Sequence, residues 1–149
     1  MGEVLLIDKP ISWSSHDVVA KTRAMFKKHG LAKIKVGHAG TLDPMASGLL
    51  ILLVGDKCKD EHEFMRLDEE YKAVLKLGYI SDTEDREGNI TKYSDKKPST
   101  TEVEKTLESF LGITNQSPPA YSAIKIKGKR SYQLARQGKS IELKPRKVN

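Results

Sequence analysis

Three kinds of hydrophobic pattern in the sequence predict an α+β fold. A short apolar run from Val4 to Ile7 is typical of a strand, and polar and apolar residues alternate from Lys72 to Leu77 as in a half-buried strand. Apolar residues recur at helical spacing between Asp17 and Lys28, and again between Val103 and Leu111. Because these elements do not follow a regular strand–helix–strand order, the pattern favours α+β over α/β.

The length and composition indicate one domain with a modest core. The chain has 149 residues, of which 38% are hydrophobic and 31% are charged. Its longest apolar run, Leu49–Val54, is far shorter than the roughly 20 residues that cross a bilayer, and the N-terminus has no signal pattern. The single cysteine, Cys58, excludes an internal disulfide framework, and the four histidines share no metal-ligand spacing. We therefore expect a cytoplasmic protein without a metal.

Basic residues are concentrated at the end of the chain. Residues 121–149 hold nine Lys and Arg against one acidic residue, which gives +8, whereas residues 1–120 hold 17 basic and 19 acidic residues, which gives −2. A separate basic stretch on a balanced domain is the charge pattern expected for contacts with phosphates. A solvated, lysine-rich tail is the alternative interpretation.

The first strand is followed by a turn and a helix. Asp8-Lys9-Pro10 ends the strand, and Ser14 or Ser15 is in position to cap a helix of about a dozen residues. The apolar residues of this helix fall on one face, at the spacing of a core contact. Gly30 ends the helix.

A glycine-rich loop comes next and leads into the most apolar run of the chain. Gly37 and Gly40 allow backbone conformations that other residues resist, and Asp43-Pro44 predicts a turn. The apolar run Leu49–Val54 behind this loop is either a buried strand or a buried helical segment. One carboxylate, that of Asp43, is thus held on a shaped loop anchored by a core element.

The residues alone leave two interpretations of Asp43 open. An Asp-Pro pair commonly forms a turn, or the aspartate caps a helix. Alternatively, Asp43 carries chemistry, since catalytic groups are often found on loops fixed to a rigid scaffold. A nucleotide-binding P-loop is excluded, because no Gly-Lys-Ser/Thr follows.

Two elements and a turn are predicted after the central loop. Polar residues 56–63 end at apolar Phe64 and predict a short amphipathic helix. Tyr71 begins the alternating strand, where such a tyrosine commonly packs with its hydroxyl at the rim. The acidic residues 81–88 form a turn that lacks the spacing of an EF-hand calcium site.

The last third of the chain combines a helix with a basic hairpin. Ser99 and Glu102 match a capping box, and Gly112 ends the helix that it begins. Pro118-Pro119 predicts a turn, after which a basic hairpin strand leads to a short helix from Tyr132 to Gln137.

A dense motif runs through the central loop, formed by His38, Gly40, Thr41, Leu42, Asp43, Pro44, Ala46, Gly48 and Leu50. This motif resembles the catalytic motif of the TruB family of tRNA pseudouridine synthases. Further segments are similar to other motifs of that family: Lys9-Pro10 with its serine-rich turn, the strand that Tyr71 begins, the turn at 81–88 with Ser81 as a mild departure, residues 116–125, and a return strand at 143–148.

The resemblance implies a fold and a set of site residues. The fold is a mixed, largely antiparallel sheet flanked by helices, and this chain forms the first part of the catalytic domain. Asp43 is implied as the nucleophile, and Tyr71 as the ring that stacks on the target base. Lys9, His38 and Lys125 are implied as substrate-binding residues, with His38 beside the flipped nucleotide and not acting as a general base.

The resemblance also implies a reaction and a partner. The reaction is isomerisation of uridine 55 to pseudouridine in the T-arm loop of tRNA. It needs an ionised carboxylate and a base flipped out of its stack, and no cofactor, metal or ATP. The expected partner is the T-arm stem-loop of tRNA, with no membrane contact, and the complete protein is expected to be a monomer.

Members of the family continue past the region that this chain resembles. They carry further sheet strands, an arginine motif whose side chain pairs with the catalytic aspartate, and usually a small C-terminal RNA-binding domain. The chain is thus expected to be a fragment or a reduced member, with weak RNA binding and little turnover by itself. Two other classes stay open: a non-catalytic RNA-binding module, and a protein-interaction domain without salt-dependent RNA affinity.

Overall fold

The computed structural model describes residues 2–118, 125–126, 128–131 and 143–148. The chain divides into two compact units, Met1–Lys72 and Ala73–Asn149. Within the described ranges, helices occur together with strands that all pair antiparallel, which confirms the α+β prediction. None of the helices in these ranges is long and apolar enough to cross a membrane.

A three-stranded antiparallel sheet forms the centre of the first unit. Its strands are β1 (Gly2–Lys9), β2 (Val36–Ala39) and β3 (Gly48–Gly55), in the order β1-β3-β2. The predicted strand at Val4–Ile7 is confirmed as part of β1. The apolar run Leu49–Val54 is a strand and not a helix, because all of β3 pairs with β1.

Helix α1 (Ser15–Lys28) covers one face of this sheet. Its N-cap is Ser14, which forms a capping box with Asp17 and satisfies backbone N–H groups that the first turn leaves unpaired. Burial of the apolar face of α1 against the sheet forms the core of the unit. That core comprises Val18, Val19, Val36, Leu50, Leu52 and Val54.

The segment after β3 is partly as predicted. A short 3₁₀ helix (Asp56–Lys59) and the one-turn helix α2 (Glu61–Phe64) confirm a helical segment here, divided in two at Asp60. The predicted strand at Lys72–Leu77 is wrong, since none of the described strands pairs with it, and Val74 is 96% exposed. Alternation fixes which side chains share a face, whereas a strand also needs a neighbour for its backbone hydrogen bonds.

The second unit consists of short strand pairs and one helix. The pairs are β4 (Tyr79–Ser81) with β5 (Ile90–Lys92), β6 (Thr114–Gln116) with β9 (Arg146–Val148), and β7 (Lys125–Ile126) with β8 (Lys129–Arg130). Helix α3 (Thr100–Glu108) has the predicted capping box of Ser99 and Glu102. The basic hairpin and a strand within 143–148 are also confirmed, whereas the predicted helix Tyr132–Gln137 lies outside the described residues.

Candidate active site

Asp43 lies on the loop 40–47, which joins β2 to β3. Gly40 begins this loop and Gly48 begins the strand after it; both have left-handed backbone angles, φ +91° and φ +122°, where a residue with a Cβ would be strained. The same freedom was predicted for Gly37, but that prediction is wrong: Gly37 is inside β2 and lacks a left-handed φ. The backbone conformation at both ends of the loop therefore depends on glycine.

The backbone on both sides of Asp43 is tied to the segment that leads into α1. The N–H of Leu42 donates to Oγ of Ser15 at 3.0 Å, and that hydroxyl lies 3.2 Å from the Leu42 carbonyl oxygen, to which it donates. The N–H of Ser12 donates to the carbonyl of Pro44 at 2.7 Å. A further bond from the N–H of Ala46 to the Asp43 carbonyl, at 3.0 Å, closes the predicted turn.

His38 supports the start of the same loop. Its Nδ1 is hydrogen-bonded to the carbonyl oxygen of Gly40. A carbonyl only accepts hydrogen bonds, so Nδ1 carries the proton, and in the neutral ring Nε2 is left as the acceptor. His38 is half-buried and lies in register with Leu52 of β3, on the side of the sheet that α1 covers. Its contact with a nucleotide stays a prediction.

Lys9 is fully buried at the end of β1, with 0% of its surface exposed. Its Nζ donates to the carbonyl oxygens of Trp13 at 2.6 Å and Pro10 at 3.1 Å. A buried ammonium is costly unless it is hydrogen-bonded, and these carbonyls satisfy it within the turn that follows β1. The structure therefore shows Lys9 supporting this turn, and its predicted contact with RNA stays untested.

Tyr71 has an exposed ring and a hydroxyl that is tied to a carboxylate. Tyr71 is 66% exposed, and its Oη donates to Oε2 of Glu69 at 2.9 Å. This hydrogen bond raises the pKa of Tyr71 above its usual value, as do partial burial and the negative charges of Glu69 and Asp43. The same Glu69 lies beside the start of the Asp43 loop, since a Cβ added to Gly40 would be 3.8 Å from its Oε1, so the Asp43 loop and Tyr71 border one site.

A cavity of about 680 Å³ lies beside the Asp43 loop in the first unit. This volume is within the range of about 300 to 1,000 Å³ that is typical of ligand sites. Residues from two segments line it, 39–42 with 45–51 and 64–72, and they include Tyr71 and three carboxylates, those of Asp68, Glu69 and Glu70. Asp43 is not among the described lining residues, but its charge reaches Tyr71, which is one of them.

The interactions of Tyr71 with Glu69 and Asp43 predict how its phenol titrates with pH. We expect the Tyr71 phenol to ionise above the usual tyrosine range, because nearby carboxylates disfavour the phenolate. The stability that this neutral phenol contributes is present below the usual pKa and is lost as pH rises through the raised one. Phenolate absorbance is measured against pH for the wild type and for Tyr71→Phe. The difference between the two curves is the titration of Tyr71 without that of the other tyrosines.

Two variants separate the causes of this shift. Glu69→Gln should lower the pKa of Tyr71 most, and Asp43→Asn should lower it less, in the order of their contributions. An Asp43→Asn variant with an unchanged Tyr71 titration would contradict the placement of both residues in one site.

Comparison with known proteins identifies the family. A family model described as "TruB family pseudouridylate synthase (N terminal domain)" matches residues 24–149. The chain belongs to this TruB family. It is 48% identical over 141 residues to a protein of Chloroherpeton thalassium named "tRNA pseudouridine synthase B", and that match covers 94% of this chain and 58% of the relative.

Other TruB relatives give the same result. Proteins with the same name from Parabacteroides distasonis and Rhizobium johnstonii are 45% and 41% identical to this chain, each over 145 residues. These matches cover 96% and 97% of this chain, but 62% and 45% of the two relatives. This TruB chain thus spans about half to three-fifths of the length of the relatives that it matches.

The predicted TruB site residues are brought together only in part. The charge of Asp43 contributes to the raised pKa of Tyr71, and His38 is fixed at the start of the Asp43 loop. It buries Lys9 away from the cavity lining, and the side chain of Lys125 lies outside the described part of the chain. Among the described residues, no group of His, Cys, Asp and Glu is arranged to hold a metal ion.

The sequence patterns missed two residues that the structure adds to the site. The sequence pattern indicates Ser15 only as a possible helix cap, although it contacts Leu42 far along the chain. Glu69 was not singled out, although its carboxylate binds the Tyr71 hydroxyl. The only local signal for Glu69 is its position two residues before a tyrosine.

Proposed function

We propose that this chain takes part in the isomerisation of uridine to pseudouridine in the T-arm loop of tRNA, at position 55. The observation that carries this proposal is the site itself: the loop that presents Asp43 is fixed from both sides, and residues of that loop line one cavity together with the exposed Tyr71. Membership of the TruB family and the printed name of the relatives support the same reaction. The partner is tRNA, whereas the cytoplasmic location and monomeric state stay predictions.

The reaction rearranges bonds within one nucleotide. The bond between N1 of uracil and C1′ of the ribose breaks, the base rotates, and a bond from C5 to C1′ forms. The proton on C5 is lost and N1 gains one, so the product is an isomer of the substrate. Asp43 supplies the ionised carboxylate that acts first as a nucleophile and then near the proton transfer.

The cavity suits an uncharged base better than a phosphate. A uridine in a folded loop must be flipped out before an enzyme reaches its glycosidic bond, and an aromatic ring can then stack on it. Tyr71 provides such a ring on the cavity wall. The carboxylates of Asp68, Glu69 and Glu70 line the same cavity and would repel a phosphate, but uracil carries no charge.

A non-catalytic RNA-binding module is the second candidate function. It is favoured by the basic segment at residues 121–149, whose charge would hold RNA whether or not Asp43 reacts.

A tritium-release assay distinguishes the two candidates. The substrate is a T-arm stem-loop RNA labelled with tritium at C5 of uridine, because isomerisation must expel that hydrogen. It is presented to this chain and to a fusion in which the chain replaces the matched region of the Chloroherpeton relative. Release by the chain or the fusion supports catalysis, whereas retained RNA without release by either supports a pure binder.

Two substitutions of Tyr71 test the stacking role of its ring. Tyr71→Ala should weaken binding of the T-arm RNA far more than Tyr71→Phe, because stacking on a base contributes about 1 to 3 kcal/mol and needs only the ring. Affinities of the two variants for the same RNA can be compared by fluorescence anisotropy. Equal affinities would limit Tyr71 to a packing role.

A further inference from the structure

We propose that Ser15 is a positioning residue for Asp43. Its hydroxyl holds the backbone of Leu42, the residue before Asp43, and so fixes where the carboxylate of Asp43 is presented. This inference rests on the proposed function, in which Asp43 is the nucleophile.

The contact between Ser15 and Leu42 is buried and two-sided. Ser15 is 2% exposed, and its hydroxyl both accepts from the Leu42 N–H at 3.0 Å and donates to the Leu42 carbonyl at 3.2 Å. A hydroxyl has one donor and can accept as well, so one side chain satisfies both backbone groups of one residue. Water competes weakly for such a buried pair of bonds, which therefore restrict the loop.

The scaffold around Ser15 is itself fixed. Ser15 is the first residue of α1, directly after the Ser14 capping box, and helix residues Val18 and Val19 are buried in the core. The hydroxyl is thus attached to a packed element, whereas Leu42 belongs to the loop. The contact therefore fixes Leu42, the residue before Asp43, to the rigid end of a helix that is 27 residues away in the sequence.

The other side of Asp43 is tied to the same segment. The Ser12 N–H donates to the Pro44 carbonyl at 2.7 Å, and Ser12 has a left-handed φ of +73°, which is uncommon for a residue other than glycine. The buried ammonium of Lys9 holds the turn around Ser12 through two carbonyls. The residues before and after Asp43 are therefore both held by the single stretch from Lys9 to Ser15.

Removal of the Ser15 hydroxyl should affect the rate more than substrate binding. The hydroxyl bonds only backbone atoms of Leu42, and Tyr71 belongs to the other lining segment of the cavity, so the KM for RNA should stay within about threefold. A displacement of about 1 Å at a reacting group can reduce rates about a hundredfold, and we expect kcat to fall by about this factor in Ser15→Ala. Ser15→Thr retains a hydroxyl and should restore most of the rate.

Amide hydrogen exchange tests the contact without any assay of activity. In the wild-type chain, the Leu42 amide should be protected, and in Ser15→Ala it should exchange about tenfold faster, as expected for the loss of one hydrogen bond. The amide of Leu52, in the central strand, serves as the internal reference. Thr22→Ala is the matched control: it removes from the same helix a hydroxyl that donates to the Val18 carbonyl within α1, and it should leave the ratio of Leu42 to Leu52 exchange unchanged.

The outcomes separate this inference from the proposed function. An unprotected Leu42 amide in the wild type would overturn the contact, even if Ser15→Ala did not fold. Faster Leu42 exchange with an unchanged kcat in the fusion would overturn the positioning role. Retained turnover by Asp43→Asn would instead overturn the nucleophile, while the exchange result for Ser15 would still stand by itself.

Discussion

The replacement Asp43→Asn is expected to abolish pseudouridine formation while leaving affinity for T-arm RNA within a few-fold of the wild type. The amide has nearly the shape of the carboxylate, but it has no negative charge and cannot attack as an anion. The tritium-release assay measures the first effect on the fusion, and anisotropy with the same stem-loop measures the second.

The structure explains why binding should survive this substitution. The hydrogen bonds that shape the loop join Ser15 to the backbone of Leu42, Ser12 to Pro44, and the Ala46 N–H to the Asp43 carbonyl. On the loop, these bonds use only backbone atoms, and an amide side chain at position 43 leaves those atoms in place. Folding and RNA binding are therefore expected to be separable from turnover.

A charge-matched variant serves as the control for Asp43→Asn. Asp95→Asn removes one carboxylate from an exposed residue that pairs with Lys92 in the second unit. It should leave the rate unchanged, since it alters net charge by the same amount without altering a residue of the Asp43 loop or of the cavity lining. Pseudouridine formation that persists in Asp43→Asn would remove Asp43 from its assigned role.

Local signals were sufficient to predict much of the first unit. The strand β1, the helix α1 and its cap follow from short patterns, in which each residue's neighbours in sequence determine the outcome. The run Leu49–Val54 was ambiguous, because a fully buried strand and a buried helix are equally apolar. Pairing with β1 over its whole length decides the question, and that information is not local.

The wrong strand and the contacts that the sequence patterns did not predict have the same physical origin. The alternation at Lys72–Leu77 describes two faces of a chain, but it does not supply a neighbouring strand. Lys9 is a basic residue before a proline in the sequence, and only the fold shows its ammonium enclosed by two carbonyls. The contact of Ser15 with Leu42 likewise joins residues 27 positions apart, for which no spacing rule exists.

The site was predictable where its motif is dense and continuous. Asp43 and His38 fall within a few residues of each other, so the resemblance located both on one loop. The link between Asp43 and Tyr71 depends on how the segment 64–72 returns to the cavity, which the sequence pattern did not show.

The simultaneous replacement of Lys125, Lys127, Lys129 and Arg130 by glutamine is expected to weaken binding of T-arm RNA strongly. Each contact with a phosphate of single-stranded RNA contributes about 0.7 to the slope of log affinity against log salt. Loss of four such contacts should lower that slope by about 3 and reduce affinity about a hundredfold near physiological salt. Titrations of this chain with RNA at several salt concentrations measure both quantities.

The four basic residues belong to one β-hairpin segment. Lys125 and Arg130 are register partners in the pair β7–β8, and Gly128 in the turn has a φ of +83°, which favours glycine. Four cationic residues are therefore supplied within six positions of sequence, in a stretch that has nine basic residues and one acidic residue over 121–149. Such local density concentrates positive potential where a phosphate backbone can follow it.

A control with the same loss of charge separates local contacts from net charge. The variant replaces Lys92, Lys96, Lys97 and Lys105 by glutamine, all within the second unit and outside the basic stretch. Two of these lysines already pair with acidic residues, Lys92 with Asp95 and Lys96 with Glu102, so their charge is partly compensated. If RNA binding depends on net charge alone, both variants should lower the slope of log affinity against log salt equally. If the hairpin makes the phosphate contacts, only the first variant lowers it by about 3, and an unchanged slope there would make the basic stretch a solvated segment.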